Sequence, residues 1–143
     1  MSAFQLNDFA LNAVSSGDLV KFQRDPMHIF NINCIVTEYG STYLIIASDR
    51  GRANIVAYLL EKDALVDKPD NNGATPLHYA AVNNHVKVIR LLLEGGATVD
   101  KPDNNGVTPL YYAADNNHVE AIRLLLEGGA TVDKPDKNGG TQL

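Results

Sequence analysis

Residues 67–99 read DKPDNNGATPLHYAAVNNHVKVIRLLLEGGATV, and residues 100–132 read DKPDNNGVTPLYYAADNNHVEAIRLLLEGGATV. The two segments align without a gap at an offset of 33 residues, and they differ only at Ala74/Val107, His78/Tyr111, Val82/Asp115, Lys87/Glu120 and Val88/Ala121. A fixed period of this length is typical of stacked repeat proteins rather than of a fold built around one active-site pocket. The sequence therefore predicts that function lies on a repeated surface.

Each unit contains a clear signal for the start of a helix. The Thr75 hydroxyl can cap amide groups that lack a partner, and Pro76 loses no needed donor at a first helical position. The first helix is therefore predicted from residue 76 to about residue 83. Asn84 follows where the chain must reverse, because asparagine tolerates the left-handed conformation nearly as well as glycine.

A second helix is predicted over residues 86–94, ended by Gly95-Gly96. The polar segment 100–106 must then turn back as an exposed finger. The second helix carries a stripe that is too broad for a helix with one covered face and fits a helix between two neighbours, formed by Val86, Val88, Ile89, Leu91, Leu92 and Leu93.

The unit resembles the ankyrin repeat. The family motif is present as Thr75-Pro76-Leu77-His78-Tyr79-Ala80-Ala81 and, with tyrosine in place of the usual histidine, as Thr108-Pro109-Leu110-Tyr111-Tyr112-Ala113-Ala114. Motif, period and the order of helix, turn, helix and finger coincide. The resemblance implies an all-α ankyrin-repeat solenoid of stacked antiparallel helix pairs joined by β-hairpin-like finger loops, with a concave protein-binding surface.

Positions 33 residues apart divide the whole chain into five segments. We expect a degenerate N-terminal capping repeat over 1–33, ankyrin repeats over 34–66, 67–99 and 100–132, and an incomplete ankyrin repeat over 133–143. The three complete units are called the first, second and third repeat below. In the first repeat Tyr43 stands in the proline position of the motif, and its finger shares only Gly40 with the later ones.

The two ends of the array are expected to differ from its middle. In the capping repeat the apolar residues Leu6, Phe9, Ala10, Ala13 and Val14 recur at helical spacing, and Gly17-Asp18 can end that helix and start the next. At the other end both helices of the incomplete repeat are missing. We therefore expect part of the third repeat's apolar stripe to lack a neighbour, namely Leu110, Ile122, Leu125 and Leu126.

Composition excludes several classes of protein. The net charge of −5 is the opposite of the basic footprint of a nucleic-acid-binding protein. No signal peptide is evident, and no apolar run approaches the roughly 20 residues that a membrane span needs. The single cysteine, Cys34, suits a reducing compartment. We expect a cytoplasmic protein without nucleic-acid or membrane partners, while a nuclear location or delivery into a host cell stays open.

The finger superficially resembles a calcium-binding loop, because oxygen-bearing side chains precede Gly73. Counted from Asp67, position 3 of an EF-hand loop, which needs an oxygen ligand, falls on Pro69, and His78 takes position 12, where a bidentate glutamate is required. The sequence therefore favours a solvated turn over a calcium site.

No side chain has the companions that catalysis requires. His85 and His118 lie one repeat apart, too far to share a metal, and are expected to form local hydrogen bonds near the start of their helices. His78 is expected to be structural, and Cys34 to be a small, partly buried side chain. We therefore expect no catalytic residue, no metal and no cofactor.

The resemblance also implies which residues contact a partner. In each repeat these flank the finger glycine or lie near the exposed end of the first helix, which gives Glu38, Tyr39, Ser41, Asp49, Arg50, Asn71, Asn72, Ala74, Val82, Asn83, Asn104, Asn105, Val107, Asp115 and Asn116. Tyr43, Tyr79 and Tyr112 are expected to line the same side. Tyrosine and arginine are frequent binding hot spots, so Tyr39 and Arg50 are the preferred anchors.

Three functional hypotheses follow. The first is a non-enzymatic protein–protein interaction module that binds an unknown partner protein through the concave surface. The second is the targeting or scaffold portion of a longer protein, an enzyme or a bacterially delivered effector, whose activity lies beyond residue 143. The third is self-association through the uncapped C-terminal repeat.

Overall fold

The computed structural model describes residues 8–24 and 31–132, and regular structure in these ranges is helical. The capping repeat contains α1 (Asp8–Ser16) and α2 (Leu19–Arg24). The three repeats contain α3 (Tyr43–Asp49) and α4 (Ala53–Glu61), α5 (Pro76–Val82) and α6 (Val86–Glu94), and α7 (Pro109–Asp115) and α8 (Val119–Glu127). Within the described ranges the fingers form no strand, and one isolated antiparallel bridge joins Ile35 to Thr42. The all-helical fold class is confirmed.

Local sequence signals place the helix ends of the second repeat. Thr75 is extended and forms a capping box with His78, and Pro76 occupies the first helical turn. Asn84 has φ 57°, the left-handed value expected at the reversal between α5 and α6. The predicted bounds of α6 are confirmed, and α5 ends one residue before its predicted end.

The helices stack in two rows. The first helices α1, α3, α5 and α7 pack each on the next, and the second helices α4, α6 and α8 do the same. Each first helix also packs on the second helix of its own repeat. One continuous core results, and its members on α6 are Val88, Ile89 and Leu92. Because α6 lies between α4 and α8, the flanks of its broad stripe, Val86, Leu91 and Leu93, are also partly covered.

In the described part of the capping repeat, the apolar face differs from the sequence prediction at Phe9. Ala10, Ala13 and Val14 are fully buried, whereas Phe9 is 49% exposed and Lys21 places its ammonium 5.0 Å from the centre of the Phe9 ring. Residue 9 precedes residue 10 by about 100° around a helix, which carries its side chain to the edge of the buried face. Leu6 lies outside the described residues.

The last described repeat is better covered than predicted. Leu110 and Leu125 were expected to lack a neighbour but are buried, because α7 and α8 pack on each other and on the helices of the second repeat. Ile122 is half-buried, and Leu126 is 42% exposed. The expectation therefore holds for Leu126 and fails for Leu110 and Leu125.

Candidate functional site

Each of the two near-identical fingers is closed by an aspartate at its centre. The Asp70 carboxylate accepts hydrogen bonds from the backbone N–H groups of Asn72 (2.9 Å) and Ala74 (3.0 Å) and from the Tyr79 hydroxyl. Asp103 repeats this arrangement in the third repeat, where Tyr112 is the hydroxyl donor. Burial and the bonded carboxylate raise the pKa of both tyrosines, so the hydroxyls stay protonated and hold each finger against its first helix.

The fingers are also bonded to one another. The Asn71 backbone N–H donates to the Tyr39 carbonyl (2.9 Å), and its side-chain amide donates to the Glu38 carbonyl (3.1 Å). Asn104 makes the corresponding bonds to the Asn72 and Asn71 carbonyls, at 2.9 and 3.0 Å. Two of the predicted partner-binding residues, Asn71 and Asn104, thus hold the stack of fingers together.

His78 links the second repeat to the third. A backbone N–H can only donate, so Nδ1 of His78 accepts from the Thr75 N–H at 3.0 Å. The ring proton is then on Nε2, which donates to the Val107 carbonyl at 2.9 Å. His78 is 2% exposed, and burial lowers its pKa, which keeps the ring neutral. Its structural role is confirmed.

The prediction of local hydrogen bonds for His85 and His118 is wrong. Each ring reaches back to the preceding repeat: His85 Nε2 lies 2.9 Å from the Asp49 carbonyl, and His118 Nδ1 lies 3.2 Å from the Ala81 carbonyl. Arg52 occupies the same position in the first repeat and donates from Nε (3.1 Å) and Nη2 (2.9 Å) to the Ser15 carbonyl. The residue before each second helix therefore bonds to the repeat behind it.

The predicted partner-binding residues differ in how far they are exposed to solvent. Tyr39 is 66% exposed, and its neighbour Glu38 is exposed as well. Ser41 is buried and offers little surface. Of the remaining predicted residues, Arg50, Asn72, Asn83, Asn105, Asp115 and Asn116 are exposed, and Asp49, Ala74, Val82 and Val107 are half-buried.

Some of the predicted partner-binding side chains already form hydrogen bonds within the chain. The Asn83 amide donates to the Asp49 carboxylate (2.9 Å) and to the Tyr79 carbonyl (2.9 Å), and the Asn116 amide donates to the Tyr112 carbonyl. In the described part of the chain, the side-chain amides of Asn72 and Asn105 have no such partner. These two amides are the ones left available to a bound molecule.

The expectation that three tyrosines line the same side is wrong for one of them. Tyr43 is fully buried, with its ring 5.2 Å from that of Phe22 in an edge-on contact. It fills the position of Pro76 and Pro109, which are buried too, so its side chain lies inside the stack. Tyr79 and Tyr112 are half-buried and do line an open cavity.

This cavity, of about 490 Å³, lies between the second and third repeats. Its lining consists of Asn72, Ala74, His78, Tyr79, Val82, Asp103, Asn104, Asn105 and Tyr112. Five of these are predicted partner-binding residues, but sequence reasoning missed Asp103. The available signal was an aspartate followed nine residues later by a tyrosine in both near-identical repeats.

The described residues offer little support for a metal site, a membrane span or a reactive thiol. Across 8–24 and 31–132 there is no group of three or more histidine, cysteine, aspartate or glutamate side chains that could hold a metal ion. Every helix within the described ranges falls short of the length and hydrophobicity that a membrane span requires. Burial raises the pKa of the Cys34 thiol, which lowers its nucleophilicity at neutral pH.

Comparison with known families agrees with this architecture. A family model described as ankyrin repeats (3 copies) matches residues 10–103 and, in an overlapping match, residues 65–138. A search among curated proteins found no match.

Proposed function

Because this chain belongs to the ankyrin-repeat family, whose repeats generally serve as protein–protein interaction modules, we propose that it binds a partner protein without catalysis. The contact surface is the one formed by the fingers and the first helices α3, α5 and α7. The observation that carries the proposal is Tyr39, a large aromatic side chain that is 66% exposed on a finger whose backbone is bonded to the next one.

The rigidity of this surface supports the proposal. The Asp70 and Asp103 carboxylates fix the second and third fingers to their helices, and Asn71 and Asn104 join successive fingers. A surface held in this way loses little conformational freedom on binding, so more of the contact free energy appears as affinity. Exposed aromatic and arginine side chains on a rigid frame are the usual binding hot spots.

The test is affinity capture from a cytosolic lysate with quantitative mass spectrometry. The parent chain is compared with a Tyr39→Ala, Arg50→Ala, Asp115→Ala variant of equal helicity. A matched control carries Lys87→Ala, Arg90→Ala and Glu94→Ala, three exposed changes on the second helix α6. We expect a protein that the parent and the control retain and the first variant loses.

Two outcomes would contradict the proposal. Equal capture of the same proteins by all three chains would show that the fingers and first helices are not the contact surface. Loss in the α6 control alone would place the contact on the opposite row of helices.

A further inference from the structure

The cavity between the second and third repeats combines an acid with aromatic rings. Tyr79 and Tyr112 stand on its helical side, and the Asp103 carboxylate lies on its finger side. None of its lining residues is a lysine or an arginine. The one histidine, His78, is held neutral because its Nδ1 accepts a backbone hydrogen bond. The cavity therefore carries a net negative charge.

The preceding junction, between the first and second repeats, carries different side chains at the equivalent place. There Ile46 occupies the position equivalent to Tyr79 of the cavity, and Asp49 occupies the position equivalent to Val82. Asp49 is bonded across the junction by the Asn83 amide. At this junction Asp70 is only 7% exposed, whereas Asp103 is half-buried and lines the cavity.

Acidic side chains occupy the positions equivalent to the cavity residue Val82 in the two adjacent repeats, and Arg50 Nε lies 3.9 Å from the Asp49 carboxylate. Val82 lies in a row of equivalent positions one repeat apart, and its neighbours in that row are Asp49 and Asp115. The Asp103 carboxylate receives three neutral hydrogen bonds, which orient it but do not cancel its charge. A low-dielectric concave wall strengthens the field of such a group.

We propose that this cavity binds an arginine side chain on an extended segment of the partner protein. A guanidinium group is a charged hydrogen-bond donor that also stacks on aromatic faces, so it matches the remaining acceptor site of the Asp103 carboxylate, on Oδ2, together with the two tyrosines. The unpaired amides of Asn72 and Asn105 at the fingers can bond the backbone of that segment. This inference rests on the proposed function and specifies the chemistry of the partner.

The duplicated repeats supply a matched pair of variants. Asp103→Asn removes the charge that faces the cavity, and Asp70→Asn makes the same chemical change at the equivalent carboxylate that is buried. Any cost to the finger itself is common to both variants. Val82→Asp and Val82→Lys add opposite charges at the rim, and aspartate is already accommodated at the equivalent positions 49 and 115.

The experiment pans a random linear peptide library on the full chain and measures the affinity of the enriched peptides by fluorescence anisotropy. We expect enrichment of arginine and a loss of affinity when that arginine is replaced by citrulline. Asp103→Asn should weaken binding about tenfold, because a half-buried hydrogen bond between charged groups contributes more binding free energy than an exposed ion pair. Asp70→Asn should change the affinity by less than about twofold. Val82→Asp should tighten binding and Val82→Lys should weaken it.

Several results would overturn the inference. These are failure to enrich any peptide, enrichment without arginine, equal effects of Asp103→Asn and Asp70→Asn, or no response to the charge at position 82. If the lysate partner depends on Tyr39, Arg50 and Asp115 but is retained by Asp103→Asn, protein binding by this surface stands and the arginine cavity fails. If no partner depends on that surface, the proposed function itself fails.

Discussion

At the scale of single residues, His78 connects a local signal to a long-range contact. Its Nδ1 completes the cap of α5, and its Nε2 reaches the carbonyl of Val107 in the next repeat. Both bonds require the neutral ring with its proton on Nε2. Protonation would place a second proton on Nδ1, opposite the Thr75 N–H, and would break the cap.

This arrangement predicts a dependence of stability on pH. The pKa of His78 is lowered in the folded state, chiefly by burial, from an ordinary value of 6.5. The unfolded chain then binds more protons than the folded chain below that pH, so the free energy of unfolding should decrease as the pH falls below about 6.5. The stability that the neutral His78 contributes should be fully present above about pH 6.5. Urea unfolding followed by circular dichroism at a series of pH values measures this decrease.

The control for this prediction is His78→Gln, which does not titrate in that range. It should be less stable at neutral pH by about 1–3 kcal/mol, because it leaves buried polar groups without a matched partner. Its stability should also depend less on pH than that of the parent. Parallel pH profiles for the two chains would contradict the role given to His78.

At the scale of elements, successive fingers lie in close contact. A Cβ atom on Gly73 would lie 2.5 Å from Oδ1 and 2.8 Å from the backbone nitrogen of Asn104 in the next finger. Gly73 also has φ 76°, which side chains rarely adopt. Gly96, after α6, has φ 91° but has nothing within 4 Å of such a Cβ.

Substituting each glycine by alanine separates these two costs. Gly96→Ala should cost about 1–2 kcal/mol of unfolding free energy, the usual price of a left-handed side chain. Gly73→Ala adds the clash with the Asn104 backbone and should cost about 1–3 kcal/mol more. Chemical unfolding of the two variants measures the difference, and equal losses would show that the fingers can separate freely.

Sequence alone predicts helices better than it predicts contacts between repeats. The bounds of α6 follow from caps and periodicity, which are local to some ten residues. The partners of His85 and His118 lie 36 and 37 residues earlier, and only the stacking brings them together. The open cavity depends in turn on which side chains, such as Ile46 or Tyr79, face each other across a junction.

At the scale of the whole molecule, each described repeat contacts its immediate neighbours. Stability in such an array is close to a sum of the repeats and of the interfaces between adjacent ones. The interface at the N-terminal end includes the Arg52 guanidinium, which donates twice to the Ser15 carbonyl in the capping repeat. Loss of this contact should therefore lower the stability of the nearby helices and not that of the whole chain.

Native-state hydrogen exchange of Arg52→Ala tests this expectation. The variant should lose about 1.5–3 kcal/mol of protection in α1 and α2, the range for a hydrogen bond to a charged group, while α7 and α8 keep theirs. Arg90→Ala, an exposed change on α6, should alter protection by less than about 0.5 kcal/mol. A uniform loss across all eight described helices in the Arg52 variant would show that the molecule unfolds as one unit.

The hydrogen bonds that join the three described fingers to one another run in one direction. Asn71 and Asn104 donate backward to carbonyls of the finger before them. Each of these joined fingers thus presents donors to the finger before it or acceptors to the finger after it, so successive fingers stack in one orientation. The finger of an additional in-frame copy of residues 67–99 would meet the backbone carbonyls at the same finger positions that Asn104 meets now. The array can therefore lengthen by duplication without any existing contact having to be redesigned.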